Sequence, residues 1–569
     1  MDGERKMTAE TQLPAETSIL TTEARETNLS RWLKPACALL IIAFAYFYRL
    51  DTPPFWGDEA DTGIGARSIL RCGYPMAFDG RNVCVFKNGE QLNRKLIFQK
   101  IPWLQYYVGA VSLTVFGNNT AGLRILFAVC GMLAFFPVHA VLKLRVKQPA
   151  IFAVLILLAP QVILFQRNAR YYPLLILFYA VLIWLVSSES TRSGVRLALA
   201  TVLFVLFFHT HPLAALCAAV ALIGHCLMFR RPAVMVYAIA GAIGFTSWLI
   251  WHRMLGPPLA ETKLFLPGDG VTFADWLRSF YTGLWATVVD MDAAGCFPIL
   301  FLGLICAGLY FWKRAALVNL LRDGCCGYVW LTLIIQTTVM AICFGSEGTA
   351  YNSVTRYSPH LLVFGLVTMV MAVHSVFRNQ WICLTVCVLA IASNLFTFSY
   401  WTNPLGRQVP SSWALPVYSE IFRPKENPWS LLIKRLQDEA DRSSPDPVMV
   451  VFPEWNQELA IFYLGEQFII RPVLQPPADQ CEQAMREVMD VKSRQRIART
   501  PDWIVDVLGD LESIPESYEP AGLIPAQLSR PDEGNRPELT RHSFAQPSVV
   551  RNMRLFRLQK NSTTNALPD

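Results

Sequence analysis

Three carboxylates crowd into the stretch Phe55-Trp56-Gly57-Asp58-Glu59-Ala60-Asp61. A carboxylate beside aromatic residues can act as a general base, and Asp58 would equally serve as the N-cap of a helix running to Leu70. Further along, Gln166-Arg167-Asn168-Ala169-Arg170-Tyr171-Tyr172-Pro173 sets two guanidiniums three residues apart at a helix start. Such a pair can grip a phosphate bidentately, whereas a lone interfacial arginine snorkels to lipid headgroups. His209-Thr210-His211-Pro212 alternates two imidazoles, which suit a polar anchor or a metal. No carboxylate adjoins them and no CxxC or Cys/His spacing occurs, so no metal site is assigned. Arg356-Tyr357 and the lysines Lys95 and Lys100 add further cations. Together these groups offer one base and several cations, which suits transfer from a lipid phosphate: the phosphate leaves as a stable anion and needs no general acid.

Such groups act together only if the chain gathers them. Of 569 residues, 53% are apolar and 16% charged, against about a quarter charged in soluble proteins, which excludes a disordered chain or an ordinary soluble enzyme. The net charge of +7 is spread between apolar runs, so nucleic-acid binding gains no support. Apolar runs at 33–48, 122–142, 150–165, 171–186, 197–208, 213–228, 234–251, 297–312, 328–344, 361–376 and 381–400 predict about eleven spanning helices. The stretch 101–116, with Gln105 among aromatics, is expected to lie in the interface.

With the amino terminus inside, every short inner loop is basic: Lys143, Arg145 and Lys147; Arg192 and Arg196; Arg230 and Arg231; Lys313, Arg314 and Arg322; then Arg378. That topology puts the loop 50–120, the turns at 166–170 and 209–212, and the loops 252–296 and 345–357 on the outer side. Between Ala121 and His252 the single carboxylate is Glu189, so acid/base chemistry belongs outside. Residues 1–30 read as a disordered inner tail and 31–400 as the transmembrane catalytic region. Residues 401–569 turn to Pro, charge and short β-branched runs, the pattern of a small outer α/β domain with strands near 448–452, 468–473, 503–508 and 553–558 and helices near 429–442 and 479–499. Cys72 and Cys84 share the first outer loop, where an oxidising compartment would permit a disulfide.

The stretch Trp56-Gly57-Asp58-Glu59-Ala60 with Ala66-Arg67-Ser68 resembles the first-loop acidic motif of the GT-C glycosyltransferases. The branch concerned holds the dolichyl-phosphate-mannose protein mannosyltransferases and the lipid A aminoarabinose transferase. Ala169-Arg170-Tyr171-Tyr172-Pro173, His209-Thr210-His211-Pro212 and Arg356-Tyr357 resemble that family's later signatures in the same order, over residues 33 to about 400. The resemblance implies a polytopic membrane enzyme that takes a sugar from a polyprenyl-phosphate carrier and inverts the anomeric centre. The acceptor would be a lipid, a glycan or a protein, and in a bacterial host the site would face the periplasm. It assigns the base to Asp58 with Glu59 in support. Carrier phosphate and sugar fall to Arg167, Arg170, Tyr171, Lys95, Lys100, His209, His211, Arg356 and Tyr357. No cofactor is implied. One departure is Gln99-Lys100-Ile101-Pro102, where relatives carry an Asp or His before Pro-Pro; Asp79 and Glu90 are the nearest acids that could substitute.

Two rivals remain. A polymerase or ligase of surface polysaccharide would use a similar outward lipid-phosphate site. A transporter would show paired broken segments in two related halves, and no such repeat is present in the sequence.

Overall fold

A computed structural model of the chain describes residues 28–84, 92–99, 101–188, 193–231, 233–256, 272–293, 299–344, 357–377, 379–393, 395–397, 414–423, 428–440, 448–452, 457–465, 468–472, 501–506, 514–524 and 553–559. The apolar runs form helices. A first helix, α1 (Asn28–Phe47), leads into α2 (Gly57–Cys72), and isolated bridges such as Met76 to Ile97 connect that to α3 (Leu104–Phe116). After Gly117 the chain turns into α4 (Thr120–Leu133), whose start is fixed by Asn119: its side chain accepts the Gly122 N–H at 2.8 Å. It continues as α5 (Phe135–Lys143).

The single helix expected at 150–165 is instead two, α6 (Pro149–Leu157) and α7 (Pro160–Gln166). Pro160 disfavours a helical Ala159, which sits at φ −53°, ψ 137°, and it brings no N–H to continue the ladder. Then follow α8 (Tyr172–Ser187), α9 (Ser193–Phe208), α10 (Pro212–Met228) and α11 (Val234–Met254). In place of the loop that the sequence predicts over 252–296, a 21-residue helix, α12 (Phe273–Ala293), occupies much of the segment. Its charged residues, Asp275, Arg278, Asp290 and Asp292, obscure an apolar repeat in the sequence. The remaining helices of this part are α13 (Ile299–Trp312), α14 (Arg314–Arg322), α15 (Cys326–Phe344), α16 (Pro359–Val376) and α17 (Gln380–Ala392).

Among the described residues, Thr120–Lys143, Val234–Met254 and Pro359–Val376 are each long and apolar enough to cross a membrane, and α14 with α15 makes a fourth candidate bent by 73°. Shorter apolar helices surround them, and α16 runs through the centre, buried along nearly its whole length. The chain is built as an integral membrane protein.

Beyond residue 401, α18 (Ala414–Phe422) lies against α1, with Phe422 stacked on Phe44 at 6.2 Å. Next come α19 (Pro428–Ala440), β1 (Val448–Phe452), α20 (Gln457–Leu464), β2 (Phe468–Pro472), β3 (Trp503–Asp506), β4 (Tyr518–Ile524) and β5 (Met553–Leu558). The sheet order is β2-β1-β3-β5-β4; β1 runs parallel to β2 and β3, and β5 antiparallel to β3 and β4. Four strands fall where the β-branched runs predict them. Missing from that expectation is β4, because Pro520 and Gly522 are poor strand residues; the pairing slips between them. The helix expected near 479–499 lies outside the described residues.

Candidate functional site

The acidic stretch opens α2, but not as a cap. Trp56 holds the N-cap position, extended at φ −96°, ψ 170° with no side-chain cap bond, so the expected N-cap role of Asp58 is corrected. Asp58 and Glu59 sit within the first helical turn, where their charge suits the positive end of the helix dipole. Gly63 and Gly65 inside α2 each sacrifice about 1 kcal/mol of helix propensity relative to Ala. Close packing requires them: a Cβ on Gly63 would lie 2.5 Å from the Phe462 ring, and one on Gly65 would lie 2.4 Å from the Tyr106 ring. Two helices therefore press directly on α2, α3 from nearby in sequence and α20 from the carboxyl-terminal part. Arg67 secures the second contact, donating to the Phe462 carbonyl at 2.7 Å with its guanidinium 3.9 Å from that ring.

Glu59 and Asp58 have different partners. Glu59 is fully buried and receives Arg124 in fork geometry, Nε to Oε1 at 2.8 Å and Nη2 to Oε2 at 2.6 Å, plus the Ala169 N–H at 2.7 Å. Arg124 spends its remaining nitrogen on the carbonyls of Leu50 and Pro53, at 3.1 and 2.7 Å. This pair fastens α2, α4 and the turn before α8. Asp58 instead meets Arg170: Nη2 is 3.1 Å from its carboxylate, and Nη1 donates to its backbone carbonyl at 2.8 Å. The Asp58 side chain stays 37% exposed while that of Arg170 is 6% exposed. Asp61 stands 3.5 Å from the same guanidinium and accepts the Tyr106 hydroxyl at 3.3 Å. Burial, with Asp58 adding to it, raises the Asp61 pKa to about 6 despite Arg170 and Tyr106. Burial alone would weaken the proton affinity of Arg170, but Asp58 and Asp61 outweigh it and drive its pKa upward, so it stays charged.

A row of rings continues from Arg170. The Tyr171 N–H donates to Gln105 of α3 at 3.1 Å, and its ring packs on His211 at 5.0 Å, which in turn packs on Tyr357 at 6.0 Å. His211 caps α10 by accepting the Ala214 N–H at Nδ1, 3.2 Å. Burial first, with Arg170 contributing, brings its pKa down to about 4. The ring is thus neutral at pH 7, and with Nδ1 accepting, the proton belongs on Nε2, which can donate to an oxygen. Gln336 of α15 holds this end, its Nε2 donating to the Tyr357 carbonyl and the Ser358 hydroxyl, both at 2.9 Å.

The other candidates lie elsewhere. Arg167, three residues before Arg170, points away from the acids, donating to the carbonyls of Ala45, Tyr46, Tyr48 and Arg49 at 2.7–3.1 Å. It satisfies the end of α1, whose last carbonyls have no intrahelical partner. His209 packs edge-on against Trp251 at 5.6 Å and meets Ser247 at 3.4 Å. Lys95 is exposed in a turn shaped by Asn93, which accepts its backbone N–H at 2.9 Å. Lys100, Arg356 and Glu90 lie outside the described residues. Asp79 is occupied by its own turn, accepting the Arg81 and Asn82 N–H groups at 2.8 and 2.7 Å. Cys72 and Cys84 are separate free thiols rather than a disulfide. No cluster able to hold a metal occurs among the described residues.

Asp61, Gln336, Arg124, Gln105, Tyr106 and Tyr463 take part in the site although the sequence assigns them no role there. Arg124 carried a usable signal, a lone charge within an apolar helix. Gln105 and Tyr106 stood out as polar groups in the interfacial stretch without an assigned task. Tyr463 of α20 gave none: its hydroxyl accepts the Phe55 N–H at 3.0 Å and bonds Thr120 Oγ1 at 2.8 Å.

This helical bundle with its acid-led helix α2 has the GT-C fold. The chain resembles the structure of ArnT from Cupriavidus metallidurans in the apo state, with a TM-score of 0.50 and 14% identity over 84% of this chain and 93% of that one. ArnT from the same organism bound to undecaprenyl phosphate matches with a TM-score of 0.49 and 12% identity, covering 95% of this chain and 100% of that one. The archaeal oligosaccharyltransferase AglB from Archaeoglobus fulgidus, in complex with an inhibitory peptide and a dolichol-phosphate, matches at 0.39 and 11%, over 84% of this chain and 70% of its own. No protein-family profile and no curated protein sequence matches.

Proposed function

We propose that this chain is an inverting membrane glycosyltransferase that moves a sugar from a polyprenyl-phosphate carrier to a lipid, glycan or protein acceptor at the outer face. One observation carries the reading: Arg170, itself buried, binds the half-open Asp58 and faces Asp61, with Tyr171, His211 and Tyr357 continuing beside it. In this reading Asp58 takes the proton of the acceptor hydroxyl as that oxygen attacks the anomeric carbon. The bond to the carrier phosphate breaks, and the departing phosphate anion is stabilised by Arg170, with Arg356 and Lys100 as additional cations. His211 Nε2–H and the tyrosines orient the sugar. Glu59 acts through Arg124, holding the helix that carries the base. The topology belonging to this reading has about eleven crossings, the amino terminus inside and residues 401–569 outside, in a bacterial inner membrane.

The test is transfer from radiolabelled polyprenyl-phosphate mannose and polyprenyl-phosphate aminoarabinose, using the full chain in nanodiscs with membrane extract as acceptor source. Asp58→Asn keeps size and hydrogen bonding but loses the base, so transfer should fall by about 10²–10⁴-fold while carrier binding persists. Wild-type turnover by this variant would remove Asp58 from the role.

A further inference from the structure

The helices that start beside the acidic cluster converge again at their far ends. From Thr120 the α4–α5 rod reaches Lys143, α8 runs from Tyr172 to Ser187, and α10 from Pro212 to Met228. At that opposite end is a cavity of about 200 Å³ lined by Arg145, Ser187, Arg231, Asn319, Arg322 and Asp323. It holds three guanidiniums and one carboxylate, and that carboxylate is already committed. Asp323 Oδ1 accepts the N–H groups of Cys325 and Cys326 at 2.9 and 3.4 Å, capping α15, while Oδ2 takes Arg145 Nε at 2.7 Å and its Nη2 as well. Arg231 donates to the Arg322 carbonyl at 3.1 Å, and among the described residues no carboxylate pairs with Arg231 or Arg322. The Ser187 hydroxyl is buried there without a partner.

We propose that this cavity binds the phosphate of an anionic phospholipid at the membrane face opposite α2. Two guanidiniums with no carboxylate partner among the described residues, and a hydroxyl with no partner among them, match phosphate oxygens in charge and donor geometry. Position favours a lipid over a soluble anion. One wall is α14, an amphipathic helix with no buried residue that is bent 73° from α15, the attitude of a helix lying in the interface plane. Immediately before it, Leu309, Trp312, Lys313 and Phe377 line an apolar groove of about 640 Å³ suited to an acyl chain. Basic pockets between membrane helices recognise lipid headgroups in this manner.

The experiment is native mass spectrometry of the full chain titrated with phosphatidylglycerol, phosphatidylcholine or inorganic phosphate. Wild type should retain phosphatidylglycerol over phosphatidylcholine, and R231Q/R322Q should lose that preference by about 30-fold, at roughly fivefold per removed charge. R322Q alone, an exposed position, should lose about fivefold. The preference is a ratio within one protein, so a general loss of stability cancels. An undiminished preference in the double variant, equal retention of both lipids by wild type, or displacement of phosphatidylglycerol by inorganic phosphate would each overturn the assignment.

Discussion

Adjacent residues of one helical turn make two Arg–carboxylate pairs of opposite character. Glu59 and Arg124 saturate each other: each carboxylate oxygen and the whole guanidinium fork are bonded, and both side chains are 5% exposed or less. The Asp58 carboxylate meets Arg170 through one 3.1 Å contact, a second guanidinium nitrogen going to the Asp58 backbone carbonyl, with Asp58 partly in solvent and Asp61 competing for the cation. A fully satisfied pair fixes geometry and has nothing left to offer a ligand; an under-satisfied one retains capacity for a proton or a phosphate. The contrast separates anchoring from chemistry better than residue type does.

The largest stability effect should come from breaking the saturated pair. Arg124→Met leaves Glu59 buried and unpaired, a loss of about 3–5 kcal/mol in thermal unfolding, and Glu59→Gln added to it should restore part. Second is Asp61. Its folded-state pKa is raised to about 6, so folding favours its protonated form relative to the unfolded chain. Its contribution is complete below the ordinary carboxylate pKa and lost as pH rises through about 6. Asp61→Asn should therefore match wild type near pH 4 and exceed it at pH 7.5 by up to about 3 kcal/mol; a difference that does not change with pH would contradict this. Tyr463→Phe removes the acceptor of the Phe55 N–H and should cost about 1–2 kcal/mol. Smallest is Asp58→Asn, within about 1 kcal/mol of wild type in stability although its transfer loss is the greatest. If Asp58→Asn destabilised as much as Arg124→Met, the division between the pairs would collapse.

Local patterns reveal much of this molecule. Uninterrupted apolar runs fold as helices, and four β-branched runs become β1, β2, β3 and β5. Asp58 and Arg170 stand out because a carboxylate and a guanidinium at helix starts are chemically conspicuous. The partition of the arginines is not legible locally. Arg167 and Arg170 share one motif, yet Arg167 serves the end of α1 and Arg170 serves α2, a choice made by packing. Arg124 lies 65 residues from Glu59, and Tyr463 lies 408 from Phe55, distances across which composition and periodicity carry no information. The same holds for α12, whose acidic ends hide its helical period.

Tyr463 also sets an order of events during synthesis. The helix bearing the acids leaves the ribosome well before the side chain that receives the Phe55 amide, which lies 408 residues further along. Until then the outer wall of that helix, including the aromatic face over Gly63, is missing. A nascent chain can thus insert into the bilayer with its acids in place but their support incomplete, which couples maturation of this region to synthesis of the segment that carries Tyr463.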